Sequence, residues 1–229
     1  MSKVKVFAAF PRKAGLSRDE FHDHWRHPHA TLGRRVPVVT KYVLSHQIDS
    51  DLLGDDQHRY DGIAEGWMDN VGDVIAFGQD PWYVNHVVPD EPNFMDQANL
   101  KSLVTTEIVL QSSPMRILPR PVGDEFWFDD DRAVNIKIIQ FIETAPQTDW
   151  YTDDDAELGV ALGAFRHVRC EPVSEVHGDQ APFVGVRELW WPTVGAFREG
   201  VAKAPEAFEQ LVTRISASVT VLAQSERFK

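Results

Sequence analysis

Two stretches of the chain, GIAEGWMDNVG at residues 62–72 and GVRELWWPTVG at residues 185–195, repeat one pattern 123 residues apart. Both keep a glycine, a β-branched residue, a glutamate, a tryptophan, a valine and a second glycine in register. Self-similarity at a fixed spacing is the mark of a repeated structural unit. We therefore interpret the 229-residue chain as an internal duplication.

The same order of elements surrounds each copy of this pattern: strand, helix, strand, strand, helix, strand. Alternating apolar residues indicate the strands, and apolar residues at helical spacing indicate the helices. This is the ferredoxin-like order, in which helices cover one face of a four-stranded sheet and the other face needs a partner. The sequence thus predicts an α+β protein with two tandem ferredoxin-like (βαββαβ) units, packed sheet to sheet as an αβ barrel within one chain.

The composition between the two units indicates where they meet. Residues 113–133 hold three prolines, a glycine and an acidic run without helical or strand periodicity, so we predict a linker there. The first unit then occupies residues 1–112, and a degenerate second copy occupies residues 134–229. Only the first unit carries the segment HWRHPH between its first two strands, so we expect one site, in that unit.

The charge and composition of the chain exclude several classes of function. The chain has 35 acidic and 23 basic residues, and a net charge of −12 repels phosphate backbones and anionic lipid surfaces. We therefore expect neither nucleic acid nor membrane as a partner. The single cysteine, Cys170, excludes an internal disulfide and a multi-cysteine metal site, and we expect it to pack as a small apolar side chain. The sequence shows no secretion signal and no long apolar run, which favours a cytoplasmic location.

The first predicted helix, residues 17–36, contains the histidine-rich segment EFHDHWRHPHATL. Ser17 and Glu20 form a capping box that starts this helix. A proline inside a helix removes a backbone hydrogen bond and clashes with the preceding turn. We therefore predict a break at His27 and a second short helix whose first position is Pro28.

His29 is the leading candidate for chemistry in this helix. On a helical wheel it lies about 40° from the centre of the apolar stripe that contains Trp25. It is either a partly buried general acid or base at the lip of a cavity, tuned by burial and a carboxylate, or a boundary histidine bound to backbone. The remaining histidines of the segment are expected at the surface or its boundary: His22, His24 and His27.

Polar residues of the second and third strands are further candidates. Strand alternation predicts that Tyr42, His46, Asp61 and Glu65 lie on an apolar face, where they could line a pocket with acid and base groups. Hydrogen bonding within the barrel interior explains the same residues equally well. The histidine spacings do not bring three imidazoles together and HExxH is absent, so we expect no metal and no other cofactor.

Four runs in the first half resemble the EthD family of small αβ-barrel proteins: KAGLSRDEFHDHWRHPHATL from Lys13, KYVLSHQID from Lys41, DGIAEGWMD from Asp61 and NFMDQANLKSLVTTEIVL from Asn93. The resemblance covers nearly all of residues 3–111. The second half resembles the family only through its strands and through Glu188 and Trp190. The matching positions are Glu20, Phe21, His24, Trp25, His29, Tyr42, His46 and residues 61–67.

This resemblance implies a fold and an activity. Family members usually form dimers whose two ferredoxin-like units build the barrel, so this chain would be a pseudodimer. Two such chains could in turn form a homodimer of pseudodimers. Some members are cofactor-free dehydratases, decarboxylases or isomerases that act on aromatic, polyketide or lactone compounds. We therefore expect an acid/base lyase or isomerase for a small apolar, oxygenated metabolite.

The polar residues of the predicted apolar face, supported by this resemblance, lead us to expect roles for individual residues. His29 would move the proton, and His46 or Asp61 would orient it or the substrate. The substrate-binding residues would be His24, Trp25, Tyr42, Glu65 and Trp67. His24 departs from the tyrosine of many members. Two alternatives stay open: a non-catalytic ligand-binding or accessory protein of a degradation pathway, and a haem or metal oxidoreductase, because related barrels can hold haem.

Overall fold

The computed structural model describes residues 3–112, 134–143, 150–215 and 217–229. Eight antiparallel strands close into one barrel in the order β1-β3-β2-β8-β5-β7-β6-β4. The strands are β1 Val4–Phe10, β2 Lys41–Gln47, β3 Gly62–Met68, β4 Lys101–Ser112, β5 Val134–Ile142, β6 Arg166–Pro172, β7 Gly185–Trp191 and β8 Ser218–Arg227.

The barrel consists of two sheets with the same strand order. The first half runs β4-β1-β3-β2 and the second half β8-β5-β7-β6, which is the ferredoxin-like order in both cases. The sheets join edge to edge through β2 with β8 and β4 with β6, so each of these eight strands is paired on both sides. The predicted α+β barrel of two ferredoxin-like units is confirmed. The predicted linker, residues 113–133, lies outside the described residues, and the unit boundaries stay predictions.

Short helices cover the outer faces of both sheets. They are α1 Arg18–His24, α2 Ala30–Gly33, α3 Val71–Gln79, α4 Asp155–Ala161, α5 Ser174–His177, α6 Val194–Lys203 and α7 Pro205–Phe208, with π-helical turns at Trp25–His29, Tyr83–Val87 and Glu209–Thr213. Short 3-10 turns occur at Asp55–His58, Glu91–Asn93 and Gln97–Asn99. No helix among the described residues combines the length and apolar character needed to cross a bilayer.

The helix that carries the histidines does not break where we predicted. Its capping box is present, since the Glu20 amide donates to Ser17 Oγ and the Ser17 amide donates to Glu20 Oε2. From Trp25 the helix widens into a π-helical turn that contains Pro28 and continues directly into α2. A wider turn accommodates the proline ring and its missing N–H without ending the helix. The predicted break at His27 was wrong, and His29 keeps helical dihedrals.

In each half, a tryptophan outside the repeated motif packs against the first glycine of that motif. A Cβ on Gly62 would lie 2.6 Å from Trp25 Cζ3, and a Cβ on Gly185 would lie 2.2 Å from Trp150 Cζ2. Each glycine therefore lets a tryptophan pack directly on the outer face of its sheet. The second half thus keeps a spatial counterpart of Trp25, which sequence comparison missed, although it has no counterpart of the neighbouring histidines.

The barrel interior holds a buried ionic cluster at its centre. Lys5 Nζ lies 2.9 Å from Glu65 Oε2 and 2.5 Å from Glu188 Oε2, and Lys137 Nζ lies 2.9 Å from Glu188 Oε1 and contacts Glu65. All four side chains are fully buried. The two lysines come from β1 and β5, and the two glutamates come from the repeated motif. The pairing satisfies charges that would be too costly to bury singly.

Candidate active site

A pocket of about 180 Å³ lies between the outer face of the first sheet and the helices that cover it. Its floor consists of small or β-branched residues of β1 and β3: Val6, Ala8, Ala64 and Gly66. Its walls are largely apolar, with Trp25, Val36, Phe77 and Val87 among them. The polar side chains on its lining are His29, Tyr42, Tyr83, Glu91 and Ser102. Such a pocket, apolar with few polar groups, is typical of a small-molecule site.

His29 is held at this pocket by a carboxylate. Its Nδ1 lies 3.0 Å from Asp90 Oδ2, and its ring packs 4.5 Å from the ring of Phe94. A carboxylate accepts hydrogen bonds, so Nδ1 carries the proton and Nε2 keeps a lone pair with which His29 can act on a ligand. This outcome matches the acid/base interpretation of His29 better than the backbone-bound one.

Burial and Asp90 act on His29 in opposite directions. Burial lowers the pKa of His29, while the hydrogen bond and the charge of Asp90 oppose that effect. The net pKa of His29 is below its usual value, so the imidazole is neutral at neutral pH. Burial works against ionisation of Asp90, but hydrogen bonds from Asn93, His24 and His29 outweigh it and lower the pKa of this carboxyl.

His24 reaches the same carboxylate without lining the pocket. Its Nε2 lies 3.0 Å from Asp90 Oδ1, and its ring stacks on Phe94 at 5.4 Å. Asn93 Nδ2 donates to the same Asp90 oxygen at 3.0 Å. His24 therefore contributes to positioning Asp90, and its predicted role in substrate binding stays a proposal.

A second acidic group lies on the pocket lining. The Tyr83 hydroxyl donates to Glu91 Oε1 at 3.1 Å, and Gln97 Nε2 donates to Glu91 Oε2 at 3.0 Å. Burial raises the pKa of Glu91. Burial also raises the pKa of Tyr42, whose hydroxyl accepts a hydrogen bond from Trp25. The pocket therefore combines a neutral base, His29, with two tyrosine hydroxyls and the carboxyl group of Glu91.

His46 is not in this pocket. Its Nδ1 lies 2.8 Å from His22 Nδ1, and its ring packs 4.6 Å from the far side of Trp25. The pair lines a separate, open cleft together with Arg18 and Asp49. Burial lowers the pKa of His46 to about 2 and that of His22 to about 4. We expected His46 to act beside His29, but the structure does not bring the two residues together.

Asp61 also lies outside the pocket. Its Oδ2 accepts the Arg12 amide hydrogen at 2.9 Å, and its other oxygen contacts the Arg12 guanidinium. Both contacts fix the segment that follows β1. Asp61 is thus engaged by Arg12 and does not contact His29.

Glu65 and Trp67 lie on the opposite face of the sheet from the pocket. The strand register pairs Val43 with Glu65 and Tyr42 with Gly66, so Tyr42 shares its face with Gly66. Glu65 contacts the lysines of the ionic cluster, and Trp67 donates from Nε1 to Glu107 Oε2 at 2.8 Å. The prediction that Tyr42 and Glu65 share one face was wrong, because alternation defines two faces without showing which one the helices cover.

Sequence reasoning missed three residues of the site: Tyr83, Asp90 and Glu91. The two carboxylates stand between Pro89 and Pro92, in a connection with no periodic pattern. An acidic pair fixed between two prolines is a signal that could have drawn attention to this segment.

The described residues offer one group of three potential metal ligands within mutual reach: Glu107, Cys170 and Glu188. Lys5 Nζ lies 3.4 Å from Glu107 Oε1 and 2.5 Å from Glu188 Oε2, so an ammonium already occupies the position of a cation. This group therefore does not suit a metal ion. The pocket at His29 has room for about one ring, far less than a porphyrin requires.

Comparison with known proteins places these features in a family context. Residues 13–98 match the family model of the EthD domain. Decarboxylase nsrE of Aspergillus novofumigatus is 27% identical over 108 residues, which cover 41% of this chain and 69% of that protein. Decarboxylase claH of Passalora fulva is 29% identical over 101 residues, which cover 37% and 63%, so this chain spans less than two thirds of claH.

A solved structure supports the fold along the whole chain. The crystal structure of an anthrone oxidase-like protein superposes with a TM-score of 0.57 at 12% identity, and the match covers 100% of this chain and 94% of that one. At this identity the likeness concerns the fold alone.

Proposed function

We propose that this chain, whose residues 13–98 match the family model of the EthD domain, is a cofactor-independent acid/base lyase for a small apolar, oxygenated metabolite. The observation that carries the proposal is the His29–Asp90 pair at the edge of the apolar pocket. The two decarboxylases that resemble part of this chain favour decarboxylation over dehydration or isomerisation.

The pocket can support decarboxylation of an acid whose carboxylate lies β to a carbonyl or phenolic oxygen. In a phenolic acid, neutral His29 takes the proton of the substrate hydroxyl at Nε2 and returns it to the carbon that bears the carboxylate. The bond to the carboxylate then breaks, its electron pair moves to the β-oxygen, and carbon dioxide leaves. The phenolic oxygen regains a proton from solvent. A β-keto acid has no such hydroxyl, so its bond to the carboxylate breaks directly and the resulting enolate takes its proton at carbon from solvent.

The chain's own groups divide this work. Asp90 keeps the proton on His29 Nδ1 and thereby leaves Nε2 free as the base. Apolar walls favour the step from a charged carboxylate to neutral carbon dioxide, because burial penalises charge. Asp90 thus takes the orienting role that the resemblance implied for His46 or Asp61.

A screen of hydroxylated aromatic acids and β-keto acids for release of carbon dioxide tests this proposal. With a substrate in hand, His29→Ala should lower kcat by about 10²- to 10⁴-fold, the usual contribution of a general acid or base. His27→Ala is the matched control, because His27 lies two positions away on the same helix and is exposed. If His29→Ala keeps full turnover, the assignment fails.

The same screen separates a non-catalytic ligand-binding protein from an enzyme. Tight binding of a compound that is recovered unchanged from the wild-type protein would favour the binding role. Release of carbon dioxide that is lost in His29→Ala and kept in His27→Ala would favour the enzyme.

A further inference from the structure

We propose that the pocket at His29 admits substrates built on a single six-membered ring, and that Ala64 and Gly66, which form its floor, create the space for that ring. The inference rests on the proposed function for the identity of the site. It goes beyond that function because it names the size class of the substrate and the residues that select it.

The volume of the pocket sets the first limit. A closed apolar cavity of about 150 Å³ holds one benzene molecule, which corresponds to roughly 25 Å³ for each carbon. The pocket of about 180 Å³ therefore encloses roughly seven non-hydrogen atoms, one ring with one attached atom. Two fused rings with ten carbons would need roughly 250 Å³ by the same proportion. The remaining substituents of a ring-sized substrate must then extend to the polar lining or the open side.

The internal duplication shows how the floor creates this space. With the 123-residue offset of the repeated motif, Ala64 corresponds to Arg187 and Gly66 corresponds to Leu189. All four residues lie on the outer face of an inner strand of their sheet, which is β3 in the first half and β7 in the second. At these two positions the first half has only the methyl group of an alanine and the hydrogen of a glycine, whereas the second half has two large side chains.

These two large side chains fill the corresponding space in the second half. Leu189 is fully buried in the apolar core under the second set of helices. Arg187 donates to Gln140 Oε1 at 2.9 Å and to Asp155 Oδ2 at 2.7 Å, also on the outer face. In the second unit, packed side chains thus occupy the space that forms the pocket in the first unit. This agrees with a single site in the first unit.

Space above Gly66 is open. A Cβ at this position would meet only Val39 Cγ1, at 3.8 Å, which is ordinary contact. A larger side chain at position 66 therefore fits the backbone and extends into the volume that the ring would occupy. Gly66→Leu copies the residue that the second half already carries on the same strand position.

Binding of one-ring and two-ring hydroxy acids measures the proposed limit. We would determine Kd by calorimetry for 2-hydroxybenzoate and 1-hydroxy-2-naphthoate with the full-length protein. Buried apolar area alone would make the larger naphthoate bind more tightly. We expect the reverse, with 2-hydroxybenzoate at least tenfold tighter.

Variants test whether the shape of the pocket determines this order of affinities. Gly66→Leu should weaken binding of 2-hydroxybenzoate at least tenfold. Gly78→Leu should leave it unchanged, because Gly78 is exposed and a Cβ at this position would have no atom within 4 Å. Phe77→Ala opens the wall of the pocket and should strengthen binding of the naphthoate relative to 2-hydroxybenzoate. Far-ultraviolet circular dichroism of each variant confirms that it is folded.

The outcomes distinguish this inference from the proposed function. Naphthoate binding as tight as that of 2-hydroxybenzoate, unchanged binding by folded Gly66→Leu, or no binding of either probe at millimolar concentration would overturn the size limit. If the size order holds but no ring-sized acid loses carbon dioxide, the inference stands and the lyase assignment fails.

Discussion

Replacing Asp90 with asparagine should reverse the tautomer of His29 and impair its action as a base. In the wild-type protein, Asp90 Oδ1 accepts from Asn93 and from His24 at 3.0 Å, while Oδ2 faces His29 Nδ1 and lies farther from His24 Nε2, at 3.2 Å. An asparagine has one acceptor oxygen, and the two donors at the Oδ1 position retain it there. The amide NH₂ then faces His29 Nδ1, which must give up its proton, so the proton moves to Nε2.

The size of the effect follows from the bond that is lost. A hydrogen bond to a charged group contributes about 1.5–3 kcal/mol, and 1.36 kcal/mol corresponds to a tenfold change in rate. We therefore expect kcat/KM of Asp90→Asn to fall between about tenfold and a hundredfold. Asp90 also opposes the effect of burial on the pKa of His29, so its loss lowers that pKa further and moves the acid limb of the pH profile to lower pH.

Long-range ¹H–¹⁵N spectra of histidine-labelled protein report the tautomer without a substrate. Wild-type His29 should show the Nδ1–H form and Asp90→Asn the Nε2–H form. Asn93→Ala is the control, since it removes a donor but keeps the carboxylate. The reasoning is refuted if Asp90→Asn keeps the Nδ1–H form and its kcat/KM stays within about twofold of wild type.

Two further predictions concern stability. Burial lowers the pKa of His167 to about 3 from the usual 6.5, so below pH 6.5 the unfolded state binds a proton that the folded state does not, and stability falls as pH decreases toward 3. Between pH 6.5 and 5, the free energy of unfolding of His167→Gln, measured by urea titration, should fall by roughly 2 kcal/mol less than that of wild type. For exposed His27→Gln it should fall as much as in wild type. Equal losses in all three proteins would contradict this. Lys137→Met leaves two buried carboxylates of the ionic cluster short of a partner and should lower the free energy of unfolding by about 3–5 kcal/mol. Adding Glu65→Gln should restore part of that loss, and a single-variant loss under about 1 kcal/mol would speak against the burial of the cluster.

The fold could be predicted from the sequence because its signals are local or repeated. The duplicated motif aligned the two halves, strand alternation indicated four strands in each half, and the Ser17–Glu20 capping box marked the start of the first helix. The path through Pro28 could not be predicted from the proline alone, because packing of Trp25 and His29 against the sheet maintains the helix as a π-helical turn.

The site was only partly accessible from the sequence. His29 could be selected because it lies near the apolar stripe of its helix. Asp90 could not be selected, because it lies 61 residues away in a connection without periodicity. Glu65 was assigned to the wrong face because both faces of this sheet are covered, one by the barrel interior and the other by helices, so both carry apolar residues.

A crystal structure of the wild-type protein with 2-hydroxybenzoate tests the central claim most directly. We expect the ring to lie over Ala64 and Gly66, with an oxygen of the ligand at roughly 2.6–3.2 Å from His29 Nε2. A ligand bound instead in the cleft beside His22 and His46, with the pocket at His29 free of it, would contradict the account.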